Sequence, residues 1–499
     1  MNQKYNKGPW RVCTFLASAL IALVFMRALP VIAVGDYEVK PVDFLSDLLP
    51  VDSSAAPLQT PSAVAEAALL DAKAEPCPKG VTCIEDYSAG KAHGMHWFYQ
   101  ALSKRKSLGR PVRIAYFGDS FIEGDILTAD LRERLQAAFG GRGTGFAPMA
   151  SPLTGFRRSI KTQSKGWTAY NVMQHKSVPT PYNEQFFVSG WVCRPSDGAS
   201  TRWEETSFRK GLDSCSTARI LFRSPRDSRI RLILNDSRTE EYAVEGSPKV
   251  RQAVVEAETI HALEFQVVEG AAETVGYGAI FGQKGVVVDN YSVRSNNGQA
   301  IFRTNATINA EINALWPYDL VILQYGLNIM QAGVHKYTSY GQQIEKVITY
   351  CRQCFPSAAI LVMGVSDRAI KNEAGVETMD AIPYMLDCQR TAARNQKAAF
   401  WSTFDAMQAE GGIREFVAKG WAGKDYTHIN YGGGRRVGWA LFDAINHEAA
   451  KAVERRKRRL ETAKPVIDST MHIEQALEPL TTGVPTPKAD TTLIPTHES

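Results

Sequence analysis

The chain has 499 residues, of which 44% are hydrophobic and 10% aromatic, and its 57 Lys and Arg against 52 Asp and Glu give a formal charge of +5. That length holds roughly three domains of ordinary size, and the apolar content excludes a wholly disordered or low-complexity chain. A charge so mild on a chain so long gives no ground for nucleic-acid binding, and no motif for it occurs.

Lys4, Lys7 and Arg11 precede an apolar run from Val12 to Met26, followed by Arg27, Pro30 and Val31-Ile32-Ala33. This is the pattern of an export signal. The run is long for a cleaved signal peptide and short for a membrane span, but carried past Arg27 to Val34 it reaches spanning length with a snorkelling arginine. Residues 1–34 are therefore expected to be a signal anchor or signal peptide. If uncleaved they would hold the chain in the inner membrane; cleavage after Ala33 would release it. In both cases the chain beyond about residue 35 lies outside the cytoplasm. Residues 35–80, rich in Pro, Ala, Asp and Ser, read as a flexible linker.

A helix follows, with His93, His96, Trp97, Phe98 and Leu102; its two histidines have no acidic or further His ligands nearby and read as packing or surface residues. Val112 to Phe117 is a β-prone run ending on Gly118-Asp119-Ser120, just before the helical spacing of Ile126, Leu127, Leu131, Leu135 and Phe139. Gly140 to Gly145 follows a helix instead of preceding one, so it is a helix exit and not a phosphate loop.

From 151 to 284 short alternating runs (Phe186 to Val192, Ile220 to Phe222, Ile230 to Leu234, Leu263 to Val268) predict an inserted antiparallel β-sandwich. Trp167, Tyr170, Trp191 and Trp203 are candidates for a sugar-stacking face there. Strands at Gly285 to Val293, Tyr318 to Tyr325, Ala359 to Val365 and Ala398 to Phe404 then alternate with helices at Asn305 to Leu315, Gln342 to Cys354 and Met379 to Lys397, as a parallel sheet requires. A closing helix runs to about Leu460 and ends in the basic run Arg455 to Arg459. Residues 464–499, rich in Pro and Thr, read as a disordered tail.

Cysteine usage suits an exported chain. Cys77 with Cys83, and Cys193 with Cys215, can each close a loop, while Cys351, Cys354 and Cys388 read as buried thiols or a structural bridge. The C-x-x-C has no second metal-like pair, and neither a metal nor a cofactor is implied.

Ser120 stands where a strand turns into a helix, at the carboxyl edge of a parallel sheet, the place where open α/β sheets bind ligands. As a nucleophile it needs a base, an acid to orient that base, and donors for the oxyanion. His428 is the candidate base, and Asp425, three residues earlier, can orient it if the pair lies on a turn. Gly298 offers an unobstructed backbone N–H, Asn328 a side-chain amide, and Ser120 its own amide.

Together, Gly118-Asp119-Ser120, Ser295-Asn296-Asn297-Gly298, Gly326-Leu327-Asn328 and Asp425 with His428 closely resemble the four motif blocks of the SGNH, or GDSL-type, hydrolases. That resemblance implies a three-layer α/β/α flavodoxin-like hydrolase domain, made of residues 81–150 and 285–463 around the inserted sandwich. It also implies a catalytic triad of Ser120, Asp425 and His428, and an oxyanion hole of Ser120, Gly298 and Asn328. The large insertion and the Gly141 to Phe146 exit look more specifically like exported bacterial peptidoglycan O-acetylesterases. The implied function is removal of O-acetyl groups from a cell-wall glycan through an acyl-enzyme on Ser120.

Two departures stand out: Phe121 follows the serine where such relatives often carry histidine, and Ile329 follows Asn328 where many members carry aspartate. Acetyl transfer to another sugar, and an esterase acting on another exported polysaccharide or a lipid, fit the same residues. A non-catalytic wall-binding protein is the alternative outside enzymes. Since no block falls within 151–284, the insertion is expected to serve glycan selection more than chemistry.

Overall fold

The computed structural model describes residues 77–88, 94–209, 213–272, 274–373 and 375–474, the last with side chains to Arg455 and at Arg458, and the short strands Ile32–Val34, Tyr37–Val39 and Thr492–Leu493. The expected export segment from Val12 to Met26, most of the linker, and the tail past Glu474 apart from Thr492–Leu493 lie outside these residues. Among the described residues no helix is long and apolar enough to cross a membrane. Residues 1–75 and 76–499 form separate units, and all that follows concerns the second.

Its centre is a parallel sheet in the order Val286–Ser292, Val112–Gly118, Leu320–Gln324, Ala359–Gly364 and Ala399–Ser402, with Glu85–Asp86 antiparallel at one edge. Numbered along the chain, the parallel strands read 2-1-3-4-5, the flavodoxin-like order. Strand alternation explains the layering. Val112, Ile114 and Tyr116 pack with the helices Met95–Lys104, Thr128–Phe139 and Tyr431–Glu474. Ala115 and Phe117, on the opposite face, pack with Ala306–Leu315, Thr338–Cys354 and Ile382–Asn395. Each central strand is buried on both faces, hence its unbroken apolar sequence. The closing helix continues past residue 464 to Glu474.

The residues between the first two parallel strands build an antiparallel sheet that begins already at Gly145–Pro148, paired with Val275–Gly282. One half holds Ile160–Asn171, Trp191–Glu205, Ala262–Glu269, Ser228–Leu234 and Arg238–Val244; the other holds Gly145–Pro148, Val275–Gly282, Cys215–Ser224 and Ser247–Ile260. The single pairing Gly276–Cys193 joins them. Side chains from both halves meet in one core, as Phe222 does with Phe265 (ring centroids 5.5 Å) and Trp203 with Phe281 (5.9 Å). This is an inserted β-sandwich. Phe186 to Val188, expected in a strand, form a buried loop before the strand that opens at Trp191.

The cysteines correct one pairing. Cys77 and Cys83 form a disulfide, whereas Cys193 and Cys215 are free and buried. Cys193 lies opposite Gly276, while Cys215 lies near Thr217, which pairs with Gly282 at the far end of the same strand. Six residues of strand separate the two levels by roughly 20 Å, far beyond disulfide reach. Burial pushes each thiol up to about 12. Cys351, Cys354 and Cys388 are also free.

Candidate active site

Sheet register sets the site. Gly118 lies level with Ser292 on one side and Gln324 on the other, so the loops leaving these three strands start at the same height. They carry Ser120, Asn296 to Gly298, and Asn328. Ser120 opens a short 3-10 turn, Ser120–Asp125, whose second N–H, that of Phe121, is capped by the Asp119 carboxylate at 2.9 Å. As the first residue of that turn, Ser120 has an N–H with no partner inside it.

The fourth loop brings His428, the candidate base. Asp425 Oδ1 accepts the N–H groups of Thr427 and His428, both at 3.1 Å, closing a tight turn with Tyr426 at φ 52°. The turn aims Asp425 Oδ2 at His428 Nδ1, 2.6 Å away, and leaves His428 Nε2 3.4 Å from Ser120 Oγ. The carboxylate selects the tautomer with the proton on Nδ1, so the lone pair on Nε2 faces the serine hydroxyl. Burial works to raise the Asp425 carboxyl, but the His428 hydrogen bond and the two backbone N–H groups outweigh it and hold the group below its ordinary value. The side chains of His428 and Asp425 are 56% and 51% exposed, so water and a bulky substrate both reach the pair.

Two of the three donors expected around the oxyanion, Asn328 and Gly298, are already engaged. The Asn328 amide donates to Asp119 Oδ2 at 2.7 Å and to the Asn296 carbonyl at 3.1 Å. Gly298, at φ 96°, donates its N–H to Asn296 Oδ1 at 2.9 Å. A developing oxyanion would have to share or displace these acceptors, two of which belong to Asn296.

Asp119 is 2% exposed, and burial raises its carboxyl to about 6 against the pull of the Phe121 N–H and the charge of His428. Asn296 is also buried. Neither residue stood out in the sequence as more than a motif neighbour, because its role lies in hydrogen bonds across loops.

Beside the turn a cleft is lined by Glu123 and Gly124, by Ser151, Leu153, Thr154 and Trp191 of the insertion, and by Ser292. Arg294 pairs with the Glu123 carboxylate at its rim.

No protein-family model and no curated protein sequence matches the chain. Among solved structures, a peptidoglycan O-acetylesterase superposes with a TM-score of 0.59 at 20% identity, over 74% of this chain and 99% of that one. The fold is that of an SGNH hydrolase. A family two carbohydrate esterase with a carbohydrate-binding domain from Corynascus thermopiles (Myceliophthora fergusii) gives a TM-score of 0.25 at 12% identity, over 52% of this chain and 94% of that one. A family two carbohydrate esterase from Cellvibrio japonicus gives 0.24 at 9%, over 58% and 98%.

Within this SGNH fold the other sequence candidates take ordinary places. The Phe121 ring is buried in the core under the closing helix and does not enter the site. Trp191 and Trp203 are buried, Trp167 stacks on Phe265, and Tyr170 stacks on Tyr182, so these four do not make an open sugar-stacking face. The insertion's exposed ring is instead Phe156, 61% accessible, which the sequence did not single out. Among the described residues, Cys83, His447 and Glu448 group their ligand atoms closely, but the Cys83 sulfur is already bonded to Cys77.

Proposed function

We propose that the protein is a serine esterase that removes O-acetyl groups from a cell-wall glycan, with peptidoglycan as its substrate. The reading is carried by the relay Asp425–His428–Ser120 at the carboxyl edge of a 2-1-3-4-5 sheet. Ser120 Oγ would attack the acetyl carbonyl while His428 Nε2 takes its proton; the carbonyl oxygen becomes an oxyanion held by the Ser120 and Gly298 N–H groups and the Asn328 amide. Collapse expels the sugar hydroxyl, protonated by His428, and leaves an acetyl-serine. Water, deprotonated by the same nitrogen, then releases acetate and restores the serine. The exposure of His428 supports water as the second acceptor.

Two further observations support a glycan outside the cytoplasm. A cleft beside the turn that Ser120 opens is lined by the hydroxyl-bearing Ser151, Thr154 and Ser292, and a peptidoglycan O-acetylesterase shares the fold over 74% of this chain and 99% of its own. The basic-then-apolar start of the chain supports export, with the inner membrane as anchor if the segment stays uncleaved. The Cys77–Cys83 disulfide accords with an oxidising compartment.

Acetate release from O-acetylated peptidoglycan, compared with acetylated xylan and a chromogenic acetyl ester, tests the reading. Ser120→Ala is expected to lower the rate on every acetyl ester by roughly 10³ or more while the protein remains folded. A variant keeping more than about a tenth of the rate would exclude Ser120 as nucleophile, and acetylated xylan turned over faster than peptidoglycan would exclude the assigned substrate.

A further inference from the structure

Tyr431 is the first residue of the closing helix and lies three residues after His428. Its hydroxyl donates to the carbonyl of Gly124 at 2.7 Å and shares that proton with the carbonyl of Phe156 at 3.1 Å. Gly124 lies in the turn that begins with Ser120; Phe156 belongs to the first segment of the inserted sandwich. The Tyr431 ring is held by two more residues of the insertion, with the Arg158 guanidinium 4.2 Å from its centroid and the Phe208 ring edge-on at 5.6 Å.

The backbone fits closely around this contact. Gly124 has φ 63°, and a Cβ there would meet the Phe156 carbonyl oxygen at 3.0 Å. Farther along the helix a Cβ on Gly434 would meet the Ile126 carbonyl oxygen at 1.9 Å, so helix and nucleophile loop touch main chain to main chain. One residue later in the loop, the insertion docks a second time, through Arg157 (3.0 Å) and Ser159 (2.6 Å) to Asp125 Oδ2.

We propose that Tyr431 is a positioning residue that clasps the Ser120 loop, the His428 segment and the insertion together, so that the inserted sandwich helps to set the serine–histidine geometry. The inference rests on the serine-esterase reading above. The Ser120–His428 separation of 3.4 Å leaves little tolerance, since a shift of about 1 Å in a reacting pair can cost 10²-fold in rate. A hydroxyl bridging two main-chain carbonyls fixes the two loops more firmly than side-chain packing alone, because the carbonyls cannot rotate away.

The test is the rate at which a fluorophosphonate labels the serine, measured on the full chain per folded molecule by near-ultraviolet circular dichroism, beside kcat and KM on a small acetyl ester. Wild type should label and Ser120→Ala should not; if wild type stays unlabelled, the serine reading and this inference fall together. Tyr431→Phe, which keeps the ring and removes the bridge, is expected to slow labelling and kcat by roughly tenfold with KM within about twofold. Phe156→Ala should label at the wild-type rate, because only its main-chain oxygen takes part. Wild-type labelling by Tyr431→Phe, or a loss that merely tracks the folded fraction, would overturn the clasp while leaving the esterase reading intact. A loss in Phe156→Ala as large as that in Tyr431→Phe would also overturn it, by placing the effect in the exposed ring.

Discussion

Asp119 links the turn that Ser120 opens to the Asn328 amide, and its protonation state decides what that amide faces. Ionised, it accepts from Asn328 and from the Phe121 N–H; protonated, it turns an O–H toward groups that are themselves donors. Its value of about 6 lies above the ordinary carboxylate range because burial penalises the charge. The sign follows from linkage: a carboxyl raised on folding costs no stability below its ordinary value, and the cost grows as pH rises and is complete above about 6. The working form thus carries a strained charge next to the serine. Lowering the pH through about 6 should disarm the site by protonating Asp119. We expect the acid limb of log(kcat/KM) to be steeper in wild type than in Asp119→Asn by the one proton that Asp119 takes up, with the variant's plateau lower by roughly 10- to 100-fold. A titration of both enzymes between pH 4.5 and 8 decides it; equal slopes would mean that Asp119 does not titrate in the functional range.

The central strand Val112–Gly118 shows what periodicity can and cannot give. Its apolar run and the turn after it were legible, as were the other parallel strands and the helices between them, because burial on both faces leaves a continuous apolar signature. Arg113 within that run was not. Its side chain is fully buried, pairs with Asp289 on the neighbouring strand, and donates to the Tyr318 hydroxyl at 2.6 Å and to the Trp316 carbonyl. Asp289 also accepts the Phe146 N–H at 2.8 Å, so the same carboxylate anchors the start of the insertion. A charge in a strand is informative only through its partner, and that partner lies 176 residues away. The same reason hid Asn296, whose carbonyl accepts from Asn328 on another loop, whereas Ser120 was visible from its strand-to-helix turn and Asp425 with His428 from their short spacing. Arg113→Met should leave Asp289 buried without its cation and cost about 3 kcal/mol or more, read as a lower urea midpoint. Pairing it with Asp289→Leu should recover part of the loss, since then neither charge is stranded. A single variant as stable as wild type would show that Tyr318 and Phe146 satisfy Asp289 by themselves.

At the scale of the whole chain, the question is whether the insertion is a removable module. The sequence encourages that view, since 151–284 contains none of the motif blocks and its turn-rich strands read as self-contained. The structure argues against it on three counts. The antiparallel sheet takes in Gly145–Pro148, before that range begins. Phe187, Val192, Leu221 and Tyr277 of the insertion share one core with Phe117 and Tyr291 of the parallel sheet, with Phe187 edge-on to Tyr291 at 5.5 Å. Arg157 and Ser159 supply partners to Asp125, which is fully buried at the end of the turn that Ser120 opens and also holds Arg132 at 2.6 Å. Without the insertion, a large apolar face would be exposed and Asp125 would keep only Arg132, Thr128 and Asn290. Burying several aromatic side chains contributes about 1.5–3 kcal/mol each, comparable in sum with the net stability of a domain. Replacing residues 151–284 by a short linker should therefore abolish activity on a small acetyl ester and on peptidoglycan alike, with loss of cooperative thermal unfolding. A truncated protein that melted cooperatively and kept the small-ester rate while losing only the polymer would restore the insertion to a purely selective role, and it would contradict the packing of Phe187 and Tyr277 as the source of the domain's integrity.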